Sequence, residues 1–306
     1  MSDQKVINKL KNIVGKRHII INSLRKQPFT KGWRYGRGEA VAVVKPGTLL
    51  EIWKVLQICV DEEIIIIMQA ANTGLTGGST PYGNDYDRQV LIINTMRIKD
   101  IHVIKEGKQV VGLTGSTLYE LEKILKPYGR EPHSIIGSTS IGASIVGGVC
   151  NNSGGSLVQR GPAYTELALY AKINQKGQLE LVNELDIDLG SNPEEILNNL
   201  QNKKYNVEDI KHTNKLASDD KYSKIVREIN KKTPARFNSD PRLLYAASGS
   251  AGKLAVFAVR LDTYLSPLKT KVFYLGSNNP DVFWKIRREI LSKFRTLPTL
   301  GDYLHR

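Results

Sequence analysis

A chain of 306 residues, 41% hydrophobic and 24% charged, is long enough for one large or two ordinary globular domains. Its 44 lysines and arginines against 30 aspartates and glutamates give a formal charge of +14, which fits either an anionic partner or simply a lysine-rich solvated surface. No zinc-finger, RNP-type or helix-turn-helix pattern accompanies the charge, so no nucleic-acid role is expected.

The first fifteen residues carry charges throughout and lack the apolar core of a signal peptide, and no run of about 18 apolar residues exists to span a bilayer. Cys59 and Cys150 have neither metal-ligand spacing nor the density of a disulfide scaffold, which agrees with a reducing, cytoplasmic compartment and predicts no metal site. Residues 3–14 read as an amphipathic helix, and the basic segment KGWRYGRGEA as an extended entry strand. Val41 to Val44 is a buried strand; Thr48-x-x-Glu51 then matches a capping box that opens a helix to about Asp61, with Leu49, Ile52, Trp53, Leu56 and Val60 on its apolar face. Ile64 to Gln69 reads as a second buried strand, giving strand, helix, strand and hence a parallel pair.

Val90 to Asn94 and Ile101 to Ile104 are predicted strands, and Gln109 to Leu113 pairs with the latter. Thr117-x-x-Glu120 is a second capping box, opening a helix that stops at Pro127-Tyr128-Gly129. One or two glycine-rich helical turns are expected within Ile141 to Val149, and a hairpin joins Leu167–Asn174 to Gln178–Asn183. From about 186 to 240 lysine, asparagine and acids dominate, which predicts a solvated surface insertion with modest helices at Pro193–Leu200 and Asp219–Asn230. Leu254 to Leu261 and Lys271 to Leu275 read as strands, and Pro280 to Phe294 as an amphipathic helix.

Three loops share one chemistry: Ala70 to Ser79 (AANTGLTGGS), Ser134 to Ser156 (SIIGSTSIGASIVGGVCNNSGGS) and Ser248 to Lys253 (SGSAGK). Backbone rich in glycine, serine and threonine approaches a ligand closely and offers bare N–H donors, which suit a phosphate. The first loop leaves a strand directly, at the carboxyl end where open α/β sheets bind ligands. Neither G-x-G-x-x-G opening a βαβ unit nor G-x-x-x-x-G-K-[ST] occurs, so the common dinucleotide and P-loop solutions are absent. Three separated loops of this kind point to one long ligand held at several points.

The runs AANTGLTGGSTPYGNDYDRQVLI, GREPHSIIGSTSIGASIVGGVCNNSGGSLVQRGPAYTE and AGKLAVFAVRLDT closely resemble the respiratory quinone-dependent D-lactate dehydrogenases, within the FAD-binding PCMH-type (vanillyl-alcohol-oxidase-like) flavoproteins. The resemblance implies an α+β fold: an N-terminal helix and entry segment over 1–35, a PCMH-type FAD-binding domain of two α+β subdomains over 36–264, and the beginning of an incomplete cap over 265–306. It further implies that Ala70, Ala71, Asn72, Thr73, Gly74, Gly78 and Ser79 bind the FAD pyrophosphate. Gly137, Ser144 and Gly154 would line the diphosphate and flavin, and Val256 would meet the adenine end through its backbone.

Many relatives carry an arginine at the position of Asn72, and some attach FAD to a first-loop histidine; no histidine lies between His18 and His102, so FAD is expected to be non-covalent. His133, beside the second loop, is expected to pack or hydrogen-bond more readily than to catalyse. The implied activity is oxidation of D-lactate to pyruvate with electrons passed to membrane quinone, from a peripheral position on an anionic surface at the cytoplasmic side of the inner membrane. The groups that bind the lactate carboxylate and take its hydroxyl proton are expected outside this chain, which leaves its catalytic residues unassigned. Two alternatives stand beside this: a non-catalytic FAD-binding fragment, and a dehydrogenase or oxidase of another 2-hydroxy acid.

Overall fold

The computed structural model describes residues 3–134, 138–154, 156–232 and 240–304. Helix α1 (Asp3–Val14) buries Val6, Ile7, Leu10 and Val14, one stripe at helical spacing. Strand β1 (Ile19–Ile20) follows, then α2 (Ser23–Thr30), whose first turn is capped by Asn22 accepting from the Arg25 amide at 3.1 Å. Strand β2 (Ala42–Val44), helix α3 (Leu49–Asp61), strand β3 (Ile65–Gln69) and strand β4 (Val90–Asn94) complete the first subdomain. Its sheet runs β1-β2-β4-β3, with β2, β4 and β3 parallel and β1 antiparallel to β2.

Beginning α3, Thr48 accepts from the Glu51 amide at 3.1 Å, but the Glu51 carboxylate turns to the Gly47 amide at 2.6 Å, so only half of the expected capping box forms. Leu49, Ile52, Trp53, Val55, Leu56 and Cys59 are buried on its inner face, and burial pushes the Cys59 thiol up to about 12, consistent with a packing role.

The second subdomain is an antiparallel sheet, order β5-β6-β10-β8-β9, built from β5 (Ile101–Ile104), β6 (Gln109–Leu113), β8 (Ala168–Ile173), β9 (Leu179–Asn183) and β10 (Ala255–Asp262). Helix α4 (Leu118–Leu125) opens with a complete capping box, Thr117 and Glu120 each accepting from the other's amide, and closes through a 3₁₀ turn at Gly129, whose φ of 62° suits glycine. A short ribbon pairs β7 (Arg130–Glu131) with β11 (Tyr264–Leu265), and α5 (Ile145–Cys150) lies between them in sequence. The antiparallel sheet buries both faces: Val111, Leu113, Leu169 and Phe257 join the core beneath α3, while Val110, Val256, Val259 and Leu261 pack under α4 and α5.

The two subdomains meet where β4 hands over to β5. An added Cβ on Gly115 would stand 2.2 Å from the Thr95 carbonyl oxygen and 2.6 Å from that of Ile98, so only glycine fits this crossing.

Several expectations are corrected here. β4 inserts between β2 and β3, so the first two strands of the parallel sheet are not neighbours. β3 is the sheet's edge and its four hydrophobic residues are only half-buried, so it is not the buried strand expected. The segment 31–40 makes isolated bridges and no strand. Of the polar stretch after 186, α6 (Pro193–Gln201) buries Ile196, Leu197 and Leu200 in the main core and is not solvated throughout; of the second expected helix only α7 (Tyr222–Ile225) forms. Lys271–Leu275 is exposed and unpaired by any strand, and α8 (Pro280–Lys293) buries only Leu291.

Candidate FAD site

Loop 70–79 leaves the carboxyl end of β3, and two buried polar residues at the strand ends, Gln69 and Asn94, fix its base. The Gln69 amide donates to the Phe29 carbonyl at 2.8 Å and the Ser79 carbonyl at 2.7 Å, so the loop's two ends are tied together. Asn94, on the neighbouring strand, donates to Gln69 Oε1 at 3.3 Å and to the Ala70 carbonyl at 3.0 Å. Asn72, at φ 55°, donates to the Lys31 carbonyl at 2.8 Å while its Oδ1 accepts from Ser79 and Thr80 at 2.9 and 3.0 Å. Its side chain is therefore committed to the loop's shape, leaving only its backbone to a ligand. No arginine at this position would make that set of bonds, because guanidinium cannot accept.

With its shape fixed from below, the loop presents its upper surface. None of the amides from Ala71 to Ser79 finds an acceptor among the described residues. Gly74 and Gly78 are exposed, and a Cβ on either would meet nothing within 4 Å. A row of unused donors beneath open space is what an anionic diphosphate requires. The segment 31–38 walls one side: Gly36 packs on Gly77, Tyr35 stacks on Tyr82 with ring centroids 6.0 Å apart, and Trp33 stands half-exposed nearby in the chain.

Ser144 caps α5, accepting from the Gly147 amide at 3.0 Å. Glycines at 147 and 148 keep this short helix slim, and Ala143 and Ile145 bond through the backbone to Leu118 and Ser116. The third loop closes over the end of α5: the Gly249 amide donates to the Val149 carbonyl at 3.1 Å and that of Ala251 to Cys150 at 3.0 Å. The second and third loops are thus one surface. Gly154 is buried beside them, while Gly137 lies outside the described residues. Val256 sits early in β10, paired with Tyr170; β6 stops opposite Ala258, so the backbone of Ala255–Phe257 keeps one edge outside that pairing.

His133 follows the β7 ribbon and lines a small cavity with Leu118, Ile145, Gly148 and Leu261. Its Nδ1 lies 3.0 Å from the Ser134 hydroxyl, its ring meets Tyr264 edge-on, and its buried Nε2 has no hydrogen-bond partner among the described residues. Burial first, and the Arg160 charge second, lower its pKa to about 4, so the ring is neutral at pH 7. Arg160 holds this corner, pairing with Glu131, donating to the Pro132 carbonyl at 3.1 Å and covering the Tyr264 ring at 4.0 Å. Gln69, Asn94, Thr95 and Arg160 were not singled out by sequence; for the first three, polar residues at the ends of otherwise apolar strands were the available signal.

A family described as "FAD binding domain" matches residues 40–177, and one described as "D-lactate dehydrogenase, membrane binding" matches residues 272–306. Among solved structures the chain is similar to alkyldihydroxyacetonephosphate synthase (TM-score 0.57, 13% identity, 88% of this chain and 42% of that one) and to p-cresol methylhydroxylase (TM-score 0.54, 13% identity, 87% and 44%). The two-subdomain α+β architecture and the loops described above are those of an FAD-binding flavoprotein of the PCMH-type fold. The chain is also 57% identical to the quinone-dependent D-lactate dehydrogenase of Haemophilus influenzae over 100% of its own length and 54% of that protein. It is 55% identical to that of Escherichia coli over 98% and 52%. Along its whole length it is similar to quinone-dependent D-lactate dehydrogenases, and it spans about half the length of these curated relatives. Among the described residues no helix is long and apolar enough to cross a membrane.

Proposed function

We propose that this chain supplies the FAD-binding part of an enzyme that oxidises D-lactate to pyruvate and passes the electrons to a membrane quinone. The observation that carries this is the first loop's unbroken row of free amides under open space, on a chain 57% identical to such a dehydrogenase. In this proposal Ala70, Ala71, Asn72, Thr73, Gly74, Gly78 and Ser79 hold the pyrophosphate. Ser144, Gly154 and Gly137 border the diphosphate and flavin, and the backbone at Val256 meets the adenine end. When bound, FAD supplies the two-electron acceptor. The chain's part is to bind and orient it without a covalent bond, since the first loop contains no histidine.

The second part of the proposal concerns the membrane. Residues 265–304 expose Leu268, Phe273, Tyr274, Leu275, Trp284 and Leu304, interleaved with Lys269, Lys271, Lys285, Arg287 and Arg288. Apolar side chains set among cations suit peripheral attachment to an anionic leaflet, which we assign to the cytoplasmic side of the inner membrane.

The test is an anaerobic visible spectrum of the purified protein before and after D-lactate. A bound flavin band that bleaches with D-lactate, and bleaches less with other 2-hydroxy acids, is the expected result. A chain that retains no flavin would overturn the proposal; flavin that fails to bleach in the full-length relative as well would overturn its substrate.

A further inference from the structure

Away from the glycine loops, at the far end of β10, a polar cavity of about 280 Å3 opens between the antiparallel sheet and the segment 211–220. Its floor is Arg260, four residues beyond Val256 and 2% exposed. Arg260 Nε donates to Gln109 Oε1 at 2.9 Å, and Nη1 to the Leu185 and Asp186 carbonyls at 3.1 and 3.4 Å. Its Nη2 has no acceptor among the described residues. No carboxylate oxygen of the described residues lies within ion-pair distance of this guanidinium, or of Lys105, which lines the same cavity.

Three acids also line the cavity; two of them are engaged with neutral groups, Asp262 accepting from Gln109 at 2.8 Å and from Ser218 at 2.6 Å and Asp186 accepting from Thr213, and the third, Asp220, lies on the 211–220 wall. Lys105 is held inward by a turn in which it and Glu106 both take left-handed φ, 50° and 56°, ahead of Gly107. Its ammonium donates to His212 Nδ1 at 3.3 Å and to no other group among the described residues. Burial, and then the Arg260 charge, lower the Lys105 pKa. Arg260 is buried and Lys105 partly so, and with Asp186 and Asp262 near but outside ion-pair distance, a guanidinium nitrogen without an acceptor among the described residues favours an anion beside it. The strained turn that aims one of them is the sort of feature that marks a binding position.

We propose that this cavity binds a small oxyanion, the phosphate or carboxylate group of a soluble metabolite, between Lys105 Nζ and Arg260 Nη2. The cavity is large enough for such a group with several waters. Its position at the opposite end of β10 from Val256 makes it independent of the FAD loops. Lys211 and Lys215, which also line it, are paired with Asp188 and Glu184 at 3.9 and 3.6 Å and act as its rim.

The test is calorimetric titration of the whole chain with inorganic phosphate and, separately, with acetate and citrate, at constant ionic strength in chloride and with saturating FAD so that the glycine loops are filled. Expected is saturable one-site binding of at least one of these, weakened about tenfold or more in Lys105→Gln by loss of a charge-assisted hydrogen bond and largely retained in Lys105→Arg. Lys172→Gln, on the distant β8–β9 hairpin, should bind like the parent. Phosphate binding alone identifies a phosphate ligand, and binding of the carboxylates alone a carboxylate ligand. Absence of saturable heat with all three, or equal affinity in the parent and Lys105→Gln, would overturn the site and leave Arg260 a structural tie between β10 and the 185–186 carbonyls. Arg260→Gln provides a second variant; should it not fold, Lys105→Gln decides alone.

Discussion

The hydroxyl of Thr95 lies 3.4 Å from the carbonyl oxygen of Gln69 and 3.3 Å from that of Thr114, reaching from the root of the first glycine loop to the end of β6 in the other subdomain. This buried contact, beside the Gly115 crossing, sets how the first loop stands relative to the second. Replacing Thr95 with valine keeps the shape and removes the donor. The expected cost is about 1 kcal/mol of stability, with weaker flavin retention because the loops lose their common reference. Urea unfolding and flavin content, measured together, check it; unchanged values for both would dissociate this hydroxyl from the site.

Gly74→Val and Gly115→Ala should fail differently. At Gly74 the new side chain enters open space, so the apoprotein should unfold within about 0.5 kcal/mol of the parent while flavin is lost on gel filtration. At Gly115 a single methyl meets carbonyl oxygens at 2.2 and 2.6 Å, and the expected destabilisation is about 1–3 kcal/mol or more. A Gly74→Val protein that keeps its flavin would remove the first loop from the pyrophosphate.

Asn72→Ala removes four hydrogen bonds, one of them a long 3.5 Å bond to the Pro28 carbonyl, and leaves a Cβ at φ 55°. Asn72→Gly removes the same bonds and relieves the backbone. Flavin affinity should fall in both, and further in alanine by the roughly 1 kcal/mol that the left-handed conformation costs a residue with a side chain. Equal affinity in parent and glycine variants would mean that the loop holds its shape without this side chain.

His102 and His133 are both held neutral, each with its pKa lowered from 6.5 to about 4 chiefly by burial. Between those values the unfolded chain binds protons that the folded chain refuses. Stability is therefore fully present above pH 6.5 and declines as pH falls toward 4. Chemical denaturation at pH 7.5 and 5 should show this decline, and His133→Gln should make it shallower. A slope unaffected by the substitution would indicate that His133 becomes solvated in the native protein.

Where one local rule decides an element, the sequence carried it: the Thr117–Glu120 box and the hairpin about Gln175-Lys176-Gly177 lie where expected, and the α3 stripe does for Leu49, Ile52, Trp53 and Leu56, with Cys59 buried in place of Val60. What long-range pairing decides was hidden. Nothing in Ile64–Gln69 tells that β4 will separate it from β2, leaving it an edge. Helix α2 carries Pro28 and no buried residue, so no apolar period announces it. Lys271–Leu275 has the composition of a strand but no partner strand among the described residues, and β preference is largely a preference for neighbours. In the site, the loops were legible as glycine-rich anion cradles; Gln69, Asn94 and Thr95, which fix their base, look in sequence like ordinary strand-end polar residues.

The segment that walls the first loop also makes the protein its own optical reporter. The chain has three tryptophans: Trp53 is buried in the core with the parallel sheet, Trp284 lies on α8, and Trp33 stands half-exposed in the 31–38 segment whose Tyr35 and Gly36 meet the first loop. Occupation of the loop should quench chiefly the Trp33 component of the emission, by energy transfer to a nearby flavin. A Trp33→Phe variant would therefore separate filling of the cofactor site from movements elsewhere, without any added dye.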